Sequence, residues 1–284
     1  MRAFTKILIL LTVLFACKSN TKRLPAVNFS GYDLNHPEII QLPKELAEIS
    51  GLAYDVKDSS LFAIEDENGI LYKIALREKN NITKWRFDKK RDFEDLVLVD
   101  NVFYVLISNG DIETVQFITN DSLIAKKTKF PDADKKQNEF ESLYFDDSTQ
   151  QLILLCKNCE DDGNKKVTAW GYDISTRIYN PLVYEINVKH VSEKLNQKKI
   201  KIRPSATAIN PVTNELYILA SQDHLLVTTD RTGKFLDLFE LDPGIYKQAE
   251  GIAFTPWGDM IISNESSENG SATILIIKYK MRKN

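Results

Sequence analysis

Ser50-Gly51-Leu52-Ala53-Tyr54 sets a pattern that returns four times along the chain. The later copies are Glu94-Asp95-Leu96-Val97-Leu98, Glu141-Ser142-Leu143-Tyr144-Phe145, Ser205-Ala206-Thr207-Ala208-Ile209 and Glu250-Gly251-Ile252-Ala253-Phe254. Each copy is a polar residue, a small or acidic one, and then a short apolar strand. Asp55, Asp100, Asp146 and Asn210 follow the first four copies, and Thr255 follows the fifth. Self-similarity at a fixed period is the first thing to read in a sequence, because it marks repeated supersecondary units.

A second apolar run follows each copy after a turn: Leu61–Ile64, Val102–Leu106, Leu152–Leu155, Leu216–Leu219 and Met260–Ile262. Uninterrupted apolar runs of this length read as strands buried on both faces. Third strands are legible at Leu71–Ile74, Ile112–Val115, Val167–Trp170, Leu225–Val227 and Thr273–Ile276. More polar fourth strands fall near Thr83–Phe87, Ser122–Lys127, Leu182–Ile186 and Phe235–Leu238. A four-stranded unit repeating about every 45 residues is the grammar of a β-propeller blade. The expected fold is therefore all-β: a single β-propeller of four-stranded antiparallel blades. Five blades are favoured, and six if Lys165 to Arg203 hides a degenerate one. Lys189 to Lys201 reads as an insertion loop or short helix. The fifth copy lacks a fourth strand, and Val27 to Leu42 is expected to supply it and close the ring, leaving no free edge.

The amino terminus reads as a targeting signal. Arg2 and Lys6 precede an apolar run from Ile7 to Phe15, broken only by Thr12. The run is too short to span a bilayer, which needs roughly 20 residues. It ends in Leu14-Phe15-Ala16-Cys17, where a small residue before Cys resembles a lipobox; an ordinary signal peptide or a short anchor helix is the alternative. The expected division is 1–17 as a lipoprotein signal with Cys17 as the lipidation site, 18–26 as a tether and 27–284 as the propeller. The implied place is the cell envelope, anchored to a bacterial membrane. The formal net charge of -3 argues against nucleic acid, which calls for a basic face.

Propeller geometry gathers the polar residues of the repeat. Turns entering the first strand and turns leaving the second lie on one face of the disc. Entry turns carry Glu48, Asp92 and Glu94, Glu139 and Glu141, Arg203, and Gln248 with Glu250. Exit turns carry Asp66, Asn109, Lys157, Asp223, and Asn264 with Glu265. The candidate ligand site is thus the channel mouth: Glu48, Asp66, Glu94, Asn109, Glu141, Lys157, Arg203, Glu250 and Asn264. Within it, Glu48, Glu94, Glu141 and Glu250 form a candidate Ca²⁺ set, because hard cations take carboxylate oxygens. Against this stands the ordinary use of Asp, Asn and Ser to bond backbone N–H groups in turns.

Cys156-Lys157-Asn158-Cys159 is a CxxC phrase. In an oxidising compartment it reads as a local disulfide, with a redox pair or half a metal site as alternatives. No second Cys pair exists, and His36, His190 and His224 are scattered. A nucleophile elbow, a phosphate-binding loop and a dinucleotide fingerprint are all missing from the sequence.

Two resemblances add to this reading. Gly251-Ile252-Ala253-Phe254-Thr255-Pro256-Trp257-Gly258-Asp259-Met260-Ile261-Ile262-Ser263 looks like the NHL and phytase-like propellers. A set of polar phrases recurring in order resembles the SdiA-regulated family of bacterial envelope proteins. The phrases are Glu48–Tyr54, Glu65–Gly69, Asp92–Leu96, Glu139–Leu143, Arg203–Ala206 and Gln248–Ile252. The resemblance implies a propeller and an envelope location, and carries over no catalytic residues. Two functions follow as expectations. One is capture of a small ligand, a cation or an envelope partner protein at the mouth. The other is a Ca²⁺-dependent phosphate- or carboxylic-ester hydrolase of phytase-like or phosphotriesterase-like type.

Overall fold

In a computed structural model, residues 29–77, 81–131, 138–198, 200–267 and 270–280 are described. The signal, Cys17 and the whole tether fall outside these residues. Strand β1 (Glu38–Gln41) comes first in the chain. Blade 1 follows as β2 (Ile49–Asp55), β3 (Ser60–Glu65), β4 (Ile70–Ala75) and β5 (Ile82–Arg86). Blade 2 is β6 (Phe93–Val99), β7 (Val102–Ile107), β8 (Ile112–Thr119) and β9 (Ser122–Thr128). Blade 3 is β10 (Glu139–Asp146), β11 (Gln151–Asn158), β12 (Lys166–Asp173) and β13 (Ile178–Asn187), followed by helix α1 (Val188–Leu195). Blade 4 is β14 (Ala206–Ile209), β15 (Leu216–Ala220), β16 (Leu225–Thr229) and β17 (Phe235–Glu240). Blade 5 has β18 (Ala249–Phe254), β19 (Met260–Asn264) and β20 (Thr273–Ile277), and its fourth strand is β1, antiparallel to β20. The ring is a five-bladed propeller closed by the N-terminal strand. Lys165 to Arg203 holds the outer half of blade 3 and α1 and forms no sixth blade. Among the described residues, no helix is long and apolar enough to cross a membrane.

The buried side chains fall into five clusters, one at each interface between neighbouring blades. Phe62, Ile64 and Leu71 of blade 1 meet Phe93, Phe103 and Val115 of blade 2, with the Phe62 and Phe103 rings 4.6 Å apart. The cluster between blades 5 and 1 includes Ile40, Leu42 and Leu46 from the N-terminal segment. That between blades 4 and 5 takes in Phe29, Tyr32 and Leu34. A blade buries both faces only by stacking on its neighbours, which is why the second strands are apolar along their whole length.

The Asp or Asn after each inner strand is explained by the turn it opens. Asp55 accepts from the Lys57 N–H at 3.0 Å, Asp146 from Ser148 at 2.9 Å and Asn210 from Val212 at 2.8 Å. In the fifth copy the Thr255 hydroxyl accepts from the Asp259 N–H at 2.9 Å. These are turn caps. At the second of these turns Asp100 and Asn101 hold φ of 47° and 66°, the left-handed pair that a tight hairpin requires. Each of the three tryptophans stands edge-on to another ring: Trp85 on Phe117, Trp170 on Phe130 and Trp257 against Tyr54.

Candidate functional site

The five inner strands lie side by side around the axis, and four of them begin with an irregularity in pairing. Phe93 pairs with Ile107 and Asp95 with Leu106, so Glu94 is the unpaired residue of a bulge. Phe140 pairs with Cys156 and Ser142 with Leu155, which bulges Glu141. Ala249 pairs with Asn264 and Gly251 with Ser263, which bulges Glu250. In blade 1 the shift lies between Ile49 and Leu52 and takes in Ser50 and Gly51. A bulge re-aims the side chain it carries. Three equivalent bulges therefore place three glutamates at equivalent positions around the mouth.

Directly below, the strands approach to backbone contact. A Cβ on Gly51 would lie 2.6 Å from the Asp95 Cα, in the next blade. Hydrogen bonds lace this level together. Leu143 N–H donates to Asp95 Oδ2 at 2.7 Å, Ser205 Oγ to the Ala249 carbonyl at 2.7 Å, and Ser263 Oγ to the Ser50 carbonyl at 3.1 Å. Further along the axis, Leu52, Leu96, Leu143, Thr207, Ile252 and their neighbours line a cavity of about 240 Å³ that exposes polar and apolar surface alike. The acidic groups and this cavity, whose lining holds no carboxylate, are thus separate tiers of one channel.

Burial raises the mouth carboxyls, and neighbouring carboxylates add to the rise at Glu94, Glu265 and Asp66. Burial, with the charges of Asp92, Glu250 and Glu139 added, pushes Glu94 up to about 9. Burial pushes Glu250 up to about 7. Glu265 rises to about 8 through burial and the charges of Glu250, Glu48 and Asp66. Asp66 rises to about 6 through burial and Glu48, with Glu65, Glu67 and Asp92 adding. One ammonium opposes this. Lys157 pulls Glu94, Glu250 and Glu265 downward, so its field reaches groups of blades 2 and 5 from blade 3. Its Nζ is bonded to Glu141, and Glu139 lies 3.4 Å away. Lys157 is itself the extra residue between Cys156, paired with Phe140, and Asn158, paired with Glu139. Cys156 and Cys159 are joined as a disulfide across this turn, with Cα atoms 5.8 Å apart.

Other residues of the mouth have local partners. Arg203 binds Asp223 through Nη1 and through its backbone N–H, both at 2.9 Å. Asn109 is exposed and accepts from the Asp111 N–H at 3.0 Å, a turn cap. Asn264 is buried and donates to the Ile245 carbonyl at 2.9 Å and to Thr273 at 3.2 Å. Its Oδ1, like Asp66 Oδ1, is buried without a hydrogen-bond partner. Ser221 was not visible as a site residue in the sequence, yet it bonds Glu250 and accepts from the Ala249 N–H at 3.0 Å. Blade 4 therefore contributes the Ser205 and Ser221 hydroxyls where blades 2, 3 and 5 carry bulged glutamates.

A Ca²⁺ site needs several oxygens around one point. Among the described residues, the sole group of three Cys, His or carboxylate ligand atoms within 4.8 Å of one another is Cys156, Cys159 and Asp162. Its two sulfurs are bonded to each other, and Asp162 is engaged by Thr168. Glu48, Glu94, Glu141 and Glu250 thus ring the mouth without converging to coordination distance.

A five-bladed ring carrying bulge-borne glutamates at one mouth defines a β-propeller with an acidic channel entrance. The SdiA-regulated family profile matches residues 32–268, and the chain belongs to that family. No curated protein matches it in sequence. Among solved structures, glutaminyl cyclase from Myxococcus xanthus superposes with a TM-score of 0.60 at 13% identity, over 86% of this chain and 95% of that one. The luciferin-regenerating enzyme gives 0.51 at 12% identity, over 87% and 96%. Regucalcin, a calcium-binding protein from Agrobacterium tumefaciens, gives 0.51 at 11%, over 83% and 92%. At these identities the likeness is one of fold.

Proposed function

We propose that the protein is a binding propeller of the bacterial cell envelope, lipid-anchored through Cys17, whose acidic mouth captures a cationic group. The observation that carries the reading is the gathering of four carboxyls raised chiefly by burial, Asp66, Glu94, Glu250 and Glu265, with one ammonium, Lys157, drawing the last three downward. Buried carboxyls that repel one another gain most from an added positive charge, because the charge lets them ionise. The cation is either a metal ion such as Ca²⁺ or an organic ammonium carried by a small ligand or an envelope partner protein. Ca²⁺ would require Glu94, Glu141 and Glu250 to draw together and Lys157 to leave Glu141. An ammonium needs only to be hydrogen-bonded by carboxylates spaced as they stand. The geometry therefore favours the organic cation. The Ca²⁺-dependent ester hydrolase reading, with Glu48, Glu94, Glu141 and Glu250 as ligands, needs the same rearrangement before a metal could activate water.

Calorimetry of the full chain with Ca²⁺ and, separately, with spermidine tests this. Because binding ionises the carboxyls, protons are released, and affinity should rise between pH 6 and pH 9. Glu94→Gln and Glu250→Gln should each weaken binding several-fold. Saturable spermidine binding with proton release supports the ammonium reading, and Ca²⁺ binding alone moves the site to the metal. If neither probe binds at pH 8, the cation-capture reading fails.

A further inference from the structure

The disc has a second face, and both described ends of the chain lie on it. The Tyr32 hydroxyl donates to the Gly258 carbonyl at 2.5 Å and accepts from Asn210 Nδ2 at 2.7 Å. Both partners sit in turns joining first to second strands, opposite the acidic mouth. Lys280 N–H donates to the Gly31 carbonyl at 2.9 Å, so the two terminal segments run together there. On the same turns, Trp257 is 57% exposed, Val56 65% and Val212 44%. Trp257 stands edge-on to Tyr54 with centroids 6.3 Å apart, and its Nε1 donates to Asp259 Oδ2 at 2.9 Å. A Cβ on Gly258 would lie 2.9 Å from Val212 Cγ2, so Val212 borders the Trp257 turn. Blades 1, 4 and 5 thus present apolar side chains beside the point where the chain arrives from its amino terminus.

We infer that this face rests on the bilayer to which the chain is tethered, with Trp257 at the lipid–water interface and the acidic mouth pointing away. The inference rests on the Cys17 anchoring proposed above. Residues 18–28 lie between that cysteine and Phe29, and a chain of that length spans at most about 40 Å. The tether therefore holds this face, and not the opposite one, nearest the membrane. Tryptophan favours the headgroup level, where its ring is half dehydrated and its N–H still finds a partner. Two nearby lysines are paired with carboxylates, Lys278 with Asp259 and Lys280 with Asp33 at 3.7 Å, while Lys57 bonds the neutral amide of Asn101. The contact is accordingly apolar and aromatic, with little call on anionic lipid.

The test uses the full chain, processed and reconstituted in vesicles whose acyl chains are brominated, with Trp85→Phe and Trp170→Phe leaving Trp257 as sole emitter. Mass spectrometry first reads the lipid on Cys17. With lipid present, emission should be quenched roughly twofold or more. The quenching should be alike in phosphatidylcholine and in mixtures with phosphatidylglycerol, and unmoved by salt. Lipid on Cys17 with unquenched Trp257 overturns the orientation alone. Absence of lipid on Cys17 overturns the anchoring, and the orientation with it. If the Cys17→Ser chain forms dimers without vesicles that Trp257→Asp separates, the patch covers a second copy and the orientation is wrong.

Discussion

Glu94 shows what the mouth costs the fold. Its carboxyl stays protonated to about pH 9 in the folded protein, whereas an unfolded chain releases the proton near the ordinary value of 4.5. Between those two pH values the folded state binds more protons than the unfolded one, so stability falls as pH rises. Glu265 at about 8 and Glu250 at about 7 add to the same slope, and Asp66 at about 6 adds its lower part. Glu94→Gln keeps the shape and removes the ionisation. We expect it to leave stability nearly unchanged at pH 5 and to raise it at pH 8.5. The gain should be on the order of 1–2 kcal/mol, allowing for water at the open mouth. Urea unfolding at the two pH values reads this directly. An equal effect at both would mean that Glu94 is not held neutral. That Glu94, Glu141 and Glu250 share one mouth was legible because they occupy one position of the repeat. Arg203, Asn109 and Asn264 occupy comparable turns, yet Asp223, the Asp111 N–H and the Ile245 carbonyl claim them. Such claims are made by side-chain direction, which a sequence does not state.

At the scale of elements, the bulge is the device that makes the mouth. It is set by registration between strands joined through a turn, and a periodic pattern cannot reveal it. The strands themselves were legible, since alternation of apolar runs and turn residues is local. So was the local disulfide reading of Cys156 and Cys159, which the structure joins around Lys157. The close approach below the bulge gives a sharp test. Gly51 faces the backbone of Asp95 and Leu96, atoms that cannot swing aside. Gly51→Ala should therefore cost about 3 kcal/mol or more, at the upper end for overpacking. Gly163 makes a useful contrast: a Cβ there meets nothing within 4 Å, although its φ of +54° keeps alanine strained. Gly163→Ala should cost only about 1 kcal/mol. Thermal melts of the two variants give the comparison, and equal losses would deny that the inner strands are in backbone contact.

The whole molecule is a ring, and a ring depends on its seam. The seam here is β1 on β20, with Glu38 opposite Ile276 and Gln41 opposite Thr273. A strand of four residues offers few hydrogen bonds, so its hold must come from what it buries. Ile40 is 5% exposed and lies with Leu42, Leu46, Ile261 and Ile274 in the cluster that bonds blade 5 to blade 1. Ile39, one residue earlier, points the other way and is 51% exposed. The two positions share a backbone and a propensity, and differ only in which side of the sheet they serve. Ile40→Asp should therefore cost about 3–5 kcal/mol, by lost apolar burial and a carboxylate without a partner. Ile39→Asp should fall within about 0.5 kcal/mol of the parent. Losing β1 also uncovers the edge of β20, and an uncovered edge recruits strands from other chains. Ile40→Asp should then sediment as concentration-dependent oligomers, through exchange of amino-terminal strands between rings, while Ile39→Asp stays monodisperse. A destabilised but strictly monomeric Ile40→Asp would show that the five blades close without the seam, and that the amino-terminal strand only decorates a ring already held by its inner strands.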